Sequence, residues 1–182
     1  MPPKYVKTVR EELFYEYAKL ISRSAMNGKV NYKFVSDRFK ALCDNKITIS
    51  GTIREWQKEQ ELPKECVFCY TTENLQMDHL IPRNRGGNDS ADNMVWSCQK
   101  CNSSRGDKGV FVWLGLKEKD NLHRLVAGKY LKRLFDLHTE KETTFISKDN
   151  IETLCKECKN KPACIEWDKV KELTCFCLES IF

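Results

Sequence analysis

The 182-residue chain has no stretch of about 18 apolar residues, the length that a membrane-crossing helix needs, so no spanning segment is expected. Its start, MPPKYVKTVREELF, also lacks the apolar run of a secretory signal. A cytoplasmic, reducing location is therefore expected, and it changes the meaning of the ten cysteines. In a secreted chain they would suggest disulfides; here they are expected reduced, and metal-bound where they cluster. A large charge excess is missing as well. The net charge is +5 and the pI about 8.6, which suits contact with phosphates without establishing it. That excess divides as +4 over residues 1–65, 0 over 66–115 and +1 over 116–182, so attraction for phosphate is expected mainly from the two flanks.

What the chain does have is one dense stretch, CVFCYTTENLQMDHLIPRNRGGNDSADNMVWSCQKCNSSRGDK, from Cys66 to Lys108. Two Cys-x-x-Cys knuckles, Cys66/Cys69 and Cys98/Cys101, suit one tetrahedral zinc held by four thiolates at about 2.3 Å. The 28 residues between them, Tyr70 to Ser97, exceed the roughly 15 to 20 of a simple zinc ribbon, so something is inserted. The insert carries the only adjacent Asp-His pair in the chain, Asp78-His79, then Asn93, and the last cysteine is followed by Asn102. Asn74 to Met77 alternates polar and apolar residues into Asp78-His79, as a strand would. Met94-Val95-Trp96 predicts a returning strand, and Gln99 to about Lys108 a helix carrying Asn102.

This pattern resembles the HNH endonucleases of the ββα-metal type, in a version stapled by a four-cysteine zinc ribbon. Cys66, Cys69, Asp78, His79, Pro82, Gly86, Gly87, Asn93, Cys98, Cys101 and Asn102 occupy the positions of that pattern, with Asn in place of the last His. The resemblance implies an α+β fold and phosphodiester hydrolysis that leaves 5′-phosphate and 3′-hydroxyl ends. YEYAKLISRSA near the start, and GKYLKRLFDLH with LTCFCLESIF near the end, resemble the flanks of small HNH restriction endonucleases. A sequence-specific type II restriction enzyme acting on double-stranded DNA as a homodimer is therefore the leading expectation. Homing, phage or repair nicking enzymes, and a non-catalytic zinc-ribbon module that binds nucleic acid, are the alternatives.

The chemistry divides among few side chains. A neutral His79 imidazole can take a proton from the attacking water near neutral pH. Asp78 and Asn102, one carboxylate and one amide oxygen, suit Mg²⁺ or Mn²⁺ that keeps much of its hydration. Asp78 and His79 are neighbours on a strand and would point to opposite sides, so a break in the strand is expected at the pair. The resemblance gives Asn93 the task of bridging the loop and supporting the base. Arg83, Arg85, Arg105 and Lys108 are candidate phosphate clamps.

The flanks are expected to be helical. Residues 1–64 form one subdomain, with helices from Thr8 to about Ala25, over Phe34–Leu42 and around Thr52–Glu61; residues 65–115 form the nuclease core. Cys43, with no His or Cys near it, is expected to pack as a small hydrophobe. Residues 116–182 begin with a helix capped at Asp120-Asn121, whose His123, Arg124, Lys129, Lys132 and Arg133 line a solvated or phosphate-facing side. Cys155, Cys158, Cys164 and Cys177, with Cys175 as the alternative fourth ligand, are expected to hold a second zinc.

Overall fold

The computed structural model describes residues 3–49, 61–156, 158, 160 and 173–181. The helix expected around Thr52–Glu61, apart from its last residue, and the tail position Cys164 lie outside them. The architecture is α+β, and the chain divides into two compact units: Met1–Ile49 with Leu134–Phe182, and Ser50–Arg133.

In the first unit α1 spans Val9–Ala25, starting where a capping box predicts it. The Thr8 hydroxyl accepts from the Glu11 N–H at 3.2 Å, and a Glu11 carboxylate oxygen accepts the Thr8 N–H at 2.9 Å. Asn27 and Gly28, both at positive φ, turn the chain into α2 (Tyr32–Cys43), capped by Asn31. Val9, Leu13, Ala18, Val35 and Leu42 are buried, and Phe14 stacks on Phe135 with centroids 5.7 Å apart. Cys43 is half-buried, and burial pushes its thiol above the ordinary value. His138 is fully buried, bonded to the Thr143 hydroxyl at 2.7 Å and to the Leu178 carbonyl at 3.0 Å.

In the second unit β1 (Leu75–His79) pairs antiparallel with β2 (Met94–Cys98), Leu75 facing Cys98 and His79 facing Met94. A helix of seven residues, α3 (Gln99–Arg105), follows β2 without a loop. The apolar run after Lys108 forms α4 (Val110–Glu118), kinked at Gly115 where φ is 79° and ψ 170°. The next helix does not start at Asp120-Asn121. Those residues close a single 3-10 turn, Leu122 is extended at φ −60° and ψ 135°, and α5 runs over Arg124–Glu140. Its basic side is solvated only in part: Arg124 is exposed, but Lys129 is buried and its ammonium donates to the Met94 carbonyl at 2.7 Å, while Lys132 pairs with Asp92 at 3.3 Å. Both lysines thus brace the end of the loop that enters β2. Among the described residues no helix is long and apolar enough to cross a membrane.

Candidate functional site

The two knuckles meet. All four sulfurs, of Cys66, Cys69, Cys98 and Cys101, lie within 4.8 Å of one another, and those of Cys69 and Cys98 are 3.7 Å apart. A tetrahedron of Zn–S bonds of about 2.3 Å puts its sulfurs about 3.8 Å apart, so the cluster has the dimensions of a zinc site. Local backbone prepares it. Tyr70, at φ 63°, turns the first knuckle so that its N–H donates to the Cys66 carbonyl at 2.8 Å; in the second, the Cys101 N–H donates to the Cys98 sulfur at 3.4 Å. Burial raises the Cys66 thiol, but backbone N–H groups at Cys98, Phe68 and Cys69 outweigh it and bring it down to about 7. Cys101 moves the other way, pushed up by burial and by the neighbouring sulfurs. Four crowded thiols cannot all ionise alone, and a divalent cation removes that conflict. Phe68 and Trp113, in edge-to-face contact at 5.0 Å, pack against the cluster.

β1 does not break at the Asp78-His79 pair. Asp78 stays opposite Val95 and His79 opposite Met94, so the two side chains leave on opposite faces of the sheet. Asp78 is buried and meets Arg105, whose Nη2 donates to its two carboxylate oxygens at 2.8 and 2.9 Å. The same guanidinium donates to the carbonyls of His79 and, at 2.9 Å, Leu80. Burial pushes the Asp78 carboxyl above its ordinary range, against the pull of the Arg105 charge. Arg105 had the sequence signature of a phosphate clamp, yet with 2% of its surface exposed it acts as an internal tie between α3 and the end of β1. Asn102 lies one turn before Arg105 and so shares the helical side from which Arg105 reaches Asp78; it is half-buried.

His79 faces the loop that joins the strands. Its Nε2 is 2.7 Å from Asp89 Oδ1, and Asp89 Oδ2 is 3.2 Å from Arg83. The His79 hydrogen bond first, then the Arg83 charge, hold the exposed Asp89 carboxyl below its ordinary range. Nothing in the sequence pattern singled out Asp89. It is one of two acids in a polar loop, and only the loop's path brings it to His79.

Asn93 sets that path. Fully buried, it accepts from the Ile81 N–H at 2.8 Å and donates to the carbonyls of Ile81 at 2.9 Å and Asn88 at 2.8 Å. Gly87 runs so close to this knot that a Cβ there would sit 1.7 Å from the Ile81 carbonyl oxygen and 2.7 Å from the Asn93 amide nitrogen. The other basic candidates differ in exposure. Arg83 and Lys108 are exposed, whereas Arg85 is mostly covered and lies 3.3 Å from Asp107. In the tail, Cys155, Cys158, Cys175 and Cys177 form no disulfide, and among the described residues they form no cluster of three or more close ligands.

With this geometry in place, comparison with known proteins gives the class. Residues 66–108 match the HNH endonuclease family model and form an HNH endonuclease domain. A stretch of 62 residues is 32% identical to the CRISPR-associated endonuclease Cas9 of Corynebacterium diphtheriae, covering 32% of this chain and 6% of that protein. No solved structure matches the chain.

Proposed function

We propose that the chain is a metal-dependent DNA endonuclease in which His79 is the general base, Asp78 and Asn102 hold the catalytic Mg²⁺ or Mn²⁺, and the four-cysteine cluster holds zinc. The observation that carries this reading is the Asp78 frame: β1 supplies Asp78, and α3, fixed at its first turn by Cys101, supplies Asn102 and the Arg105 tie to Asp78. His79 ends β1 on the opposite face, so this reading requires the end of the strand to turn as metal and DNA bind, bringing the imidazole to the phosphate that the metal holds. The donor set fits a hard cation, because a carboxylate bonded to one guanidinium nitrogen retains lone pairs and an amide oxygen adds another. Such an ion supplies positive charge for the phosphate and leaving oxygens. His79, partly exposed, takes the proton of the attacking water, and Asn93 holds the loop beside it. Arg83 and Lys108 are the exposed cations best suited to the DNA backbone, with Arg85 behind them. Cleavage leaves 5′-phosphate and 3′-hydroxyl ends.

Within this reading the chain is a type II restriction endonuclease, a homodimer whose helical flanks, 1–64 and 116–182, read the target, with a second zinc on Cys155, Cys158, Cys164 and Cys177 or Cys175. Plasmid DNA incubated with the purified chain and Mg²⁺ tests both levels. Metal-dependent cutting that EDTA stops supports the nuclease, and its absence overturns it. Discrete double-strand fragments support the restriction enzyme, whereas single-strand nicks alone favour a nicking enzyme.

A further inference from the structure

We propose that Asp89 is the positioning residue for the His79 base, its carboxylate accepting a hydrogen bond from Nε2–H so that Nδ1 carries the lone pair that receives the proton from water. This rests on the nuclease reading above. A neutral imidazole has one N–H and one lone pair, and the partner of one nitrogen decides which role the other plays. A carboxylate can only accept, so a contact of 2.7 Å from Asp89 Oδ1 to Nε2 places the proton on Nε2. During the reaction one proton passes from water to Nδ1, while Nε2–H stays on the ring.

Asp89 does not reach His79 by chance flexibility of an exposed side chain. Its neighbour Asn88 is held through its carbonyl by the Asn93 side chain, and the loop passes Gly87 where there is no room for a Cβ. Its second carboxylate oxygen faces Arg83 at 3.2 Å, which leaves Oδ1 for the imidazole. One acid is thus steered to the base from three sides: the Asn93 knot, the glycine passage and the Arg83 charge. The arrangement follows the general logic in which a base is oriented by a third group.

The test uses the full chain with its metals bound and the variant Asp89→Ala. Side-chain ¹⁵N shifts of labelled histidine, recorded above about pH 8 where imidazoles are neutral, report the tautomer of each ring. The chain has three histidines, and a His79→Gln sample assigns the signals. In the wild type His79 is expected as the Nε2–H form; in Asp89→Ala it becomes a mixture. The variant's kcat is expected to fall about 10- to 100-fold, less than on removal of the base, with KM for DNA unchanged. An unaltered tautomer in Asp89→Ala, or wild-type kcat, overturns the proposal. Failure of the wild type to cut at all would instead overturn the nuclease reading, and the tautomer comparison would still judge the Asp89 contact.

Discussion

Helices α1 and α2 close on Val9, Leu13, Ala18, Val35 and Leu42, whereas β1, β2 and α3 close on a ring of sulfurs, the Arg105–Asp78 pair and the Asn93 knot. The first kind of core draws on apolar area, which is non-directional and tolerates changes of shape. The second draws on bonds with fixed partners, and a two-stranded sheet with a short helix buries too little to stand otherwise. That contrast explains why the catalytic candidates sit in the polar unit. Directional bonds place a carboxylate or an imidazole more narrowly than packing does.

Removing the zinc proposed for the four-cysteine cluster should separate the units most sharply. Cys101→Ser, or a strong chelator, should release amide protection across residues 66–105 while α1 and α2 stay protected, since structural zinc contributes about 10 to 16 kcal/mol in small modules. Hydrogen exchange by mass spectrometry reads this directly; equal loss in both units would show that they depend on one another. Next in size, His79→Ala should lower the cleavage rate by about 10² to 10⁴ with zinc content and DNA binding retained, as befits a group acting in the transition state. A wild-type rate would remove His79 from the chemistry.

Arg105→Ala strands the buried Asp78 carboxylate and should cost about 3 to 5 kcal/mol, seen as a lower denaturation midpoint confined to the second unit. If instead DNA affinity falls at unchanged stability, the guanidinium belongs to the substrate. The smallest effect belongs to the helical unit. Burial holds His138 down at about 4, below the ordinary imidazole value of 6.5. Between these values the unfolded chain binds a proton that the folded one refuses, so stability is full above about pH 6.5 and falls as the pH drops toward 4, by about 3 kcal/mol in all. Melting curves over that range should flatten in His138→Gln.

The core strands and α3 were legible because the alternation into Asp78-His79 and the two knuckles are strong local signals, and their ends matched closely. So was the extent of α1, from its N-cap Thr8 to Ala25. The side-chain ties were not. Arg105 and Lys129 look like surface cations in a string of letters, and only their distance from a buried carboxylate or an open carbonyl shows that they are internal. The start of α5 was misplaced because Asp120-Asn121 has the composition of a cap while the backbone at Leu122 turns away from the helix. Asp89 was hidden for a related reason: its role depends on where a loop travels, which periodicity does not encode.

Gly87 leads from this geometry to genetics. Every glycine codon has the form GGN, and any base change in its first two positions gives a residue with a Cβ or a stop. Here that carbon would land 1.7 Å from the Ile81 carbonyl oxygen, so even alanine, the smallest replacement, has no place. Position 87 should therefore behave as a two-nucleotide switch in a mutational scan, silent at the third base and inactivating at the other two. Spontaneous mutants selected for loss of cutting should gather there far more often than at the exposed Gly86 one residue earlier, where a Cβ meets nothing within 4 Å and only the positive φ resists replacement.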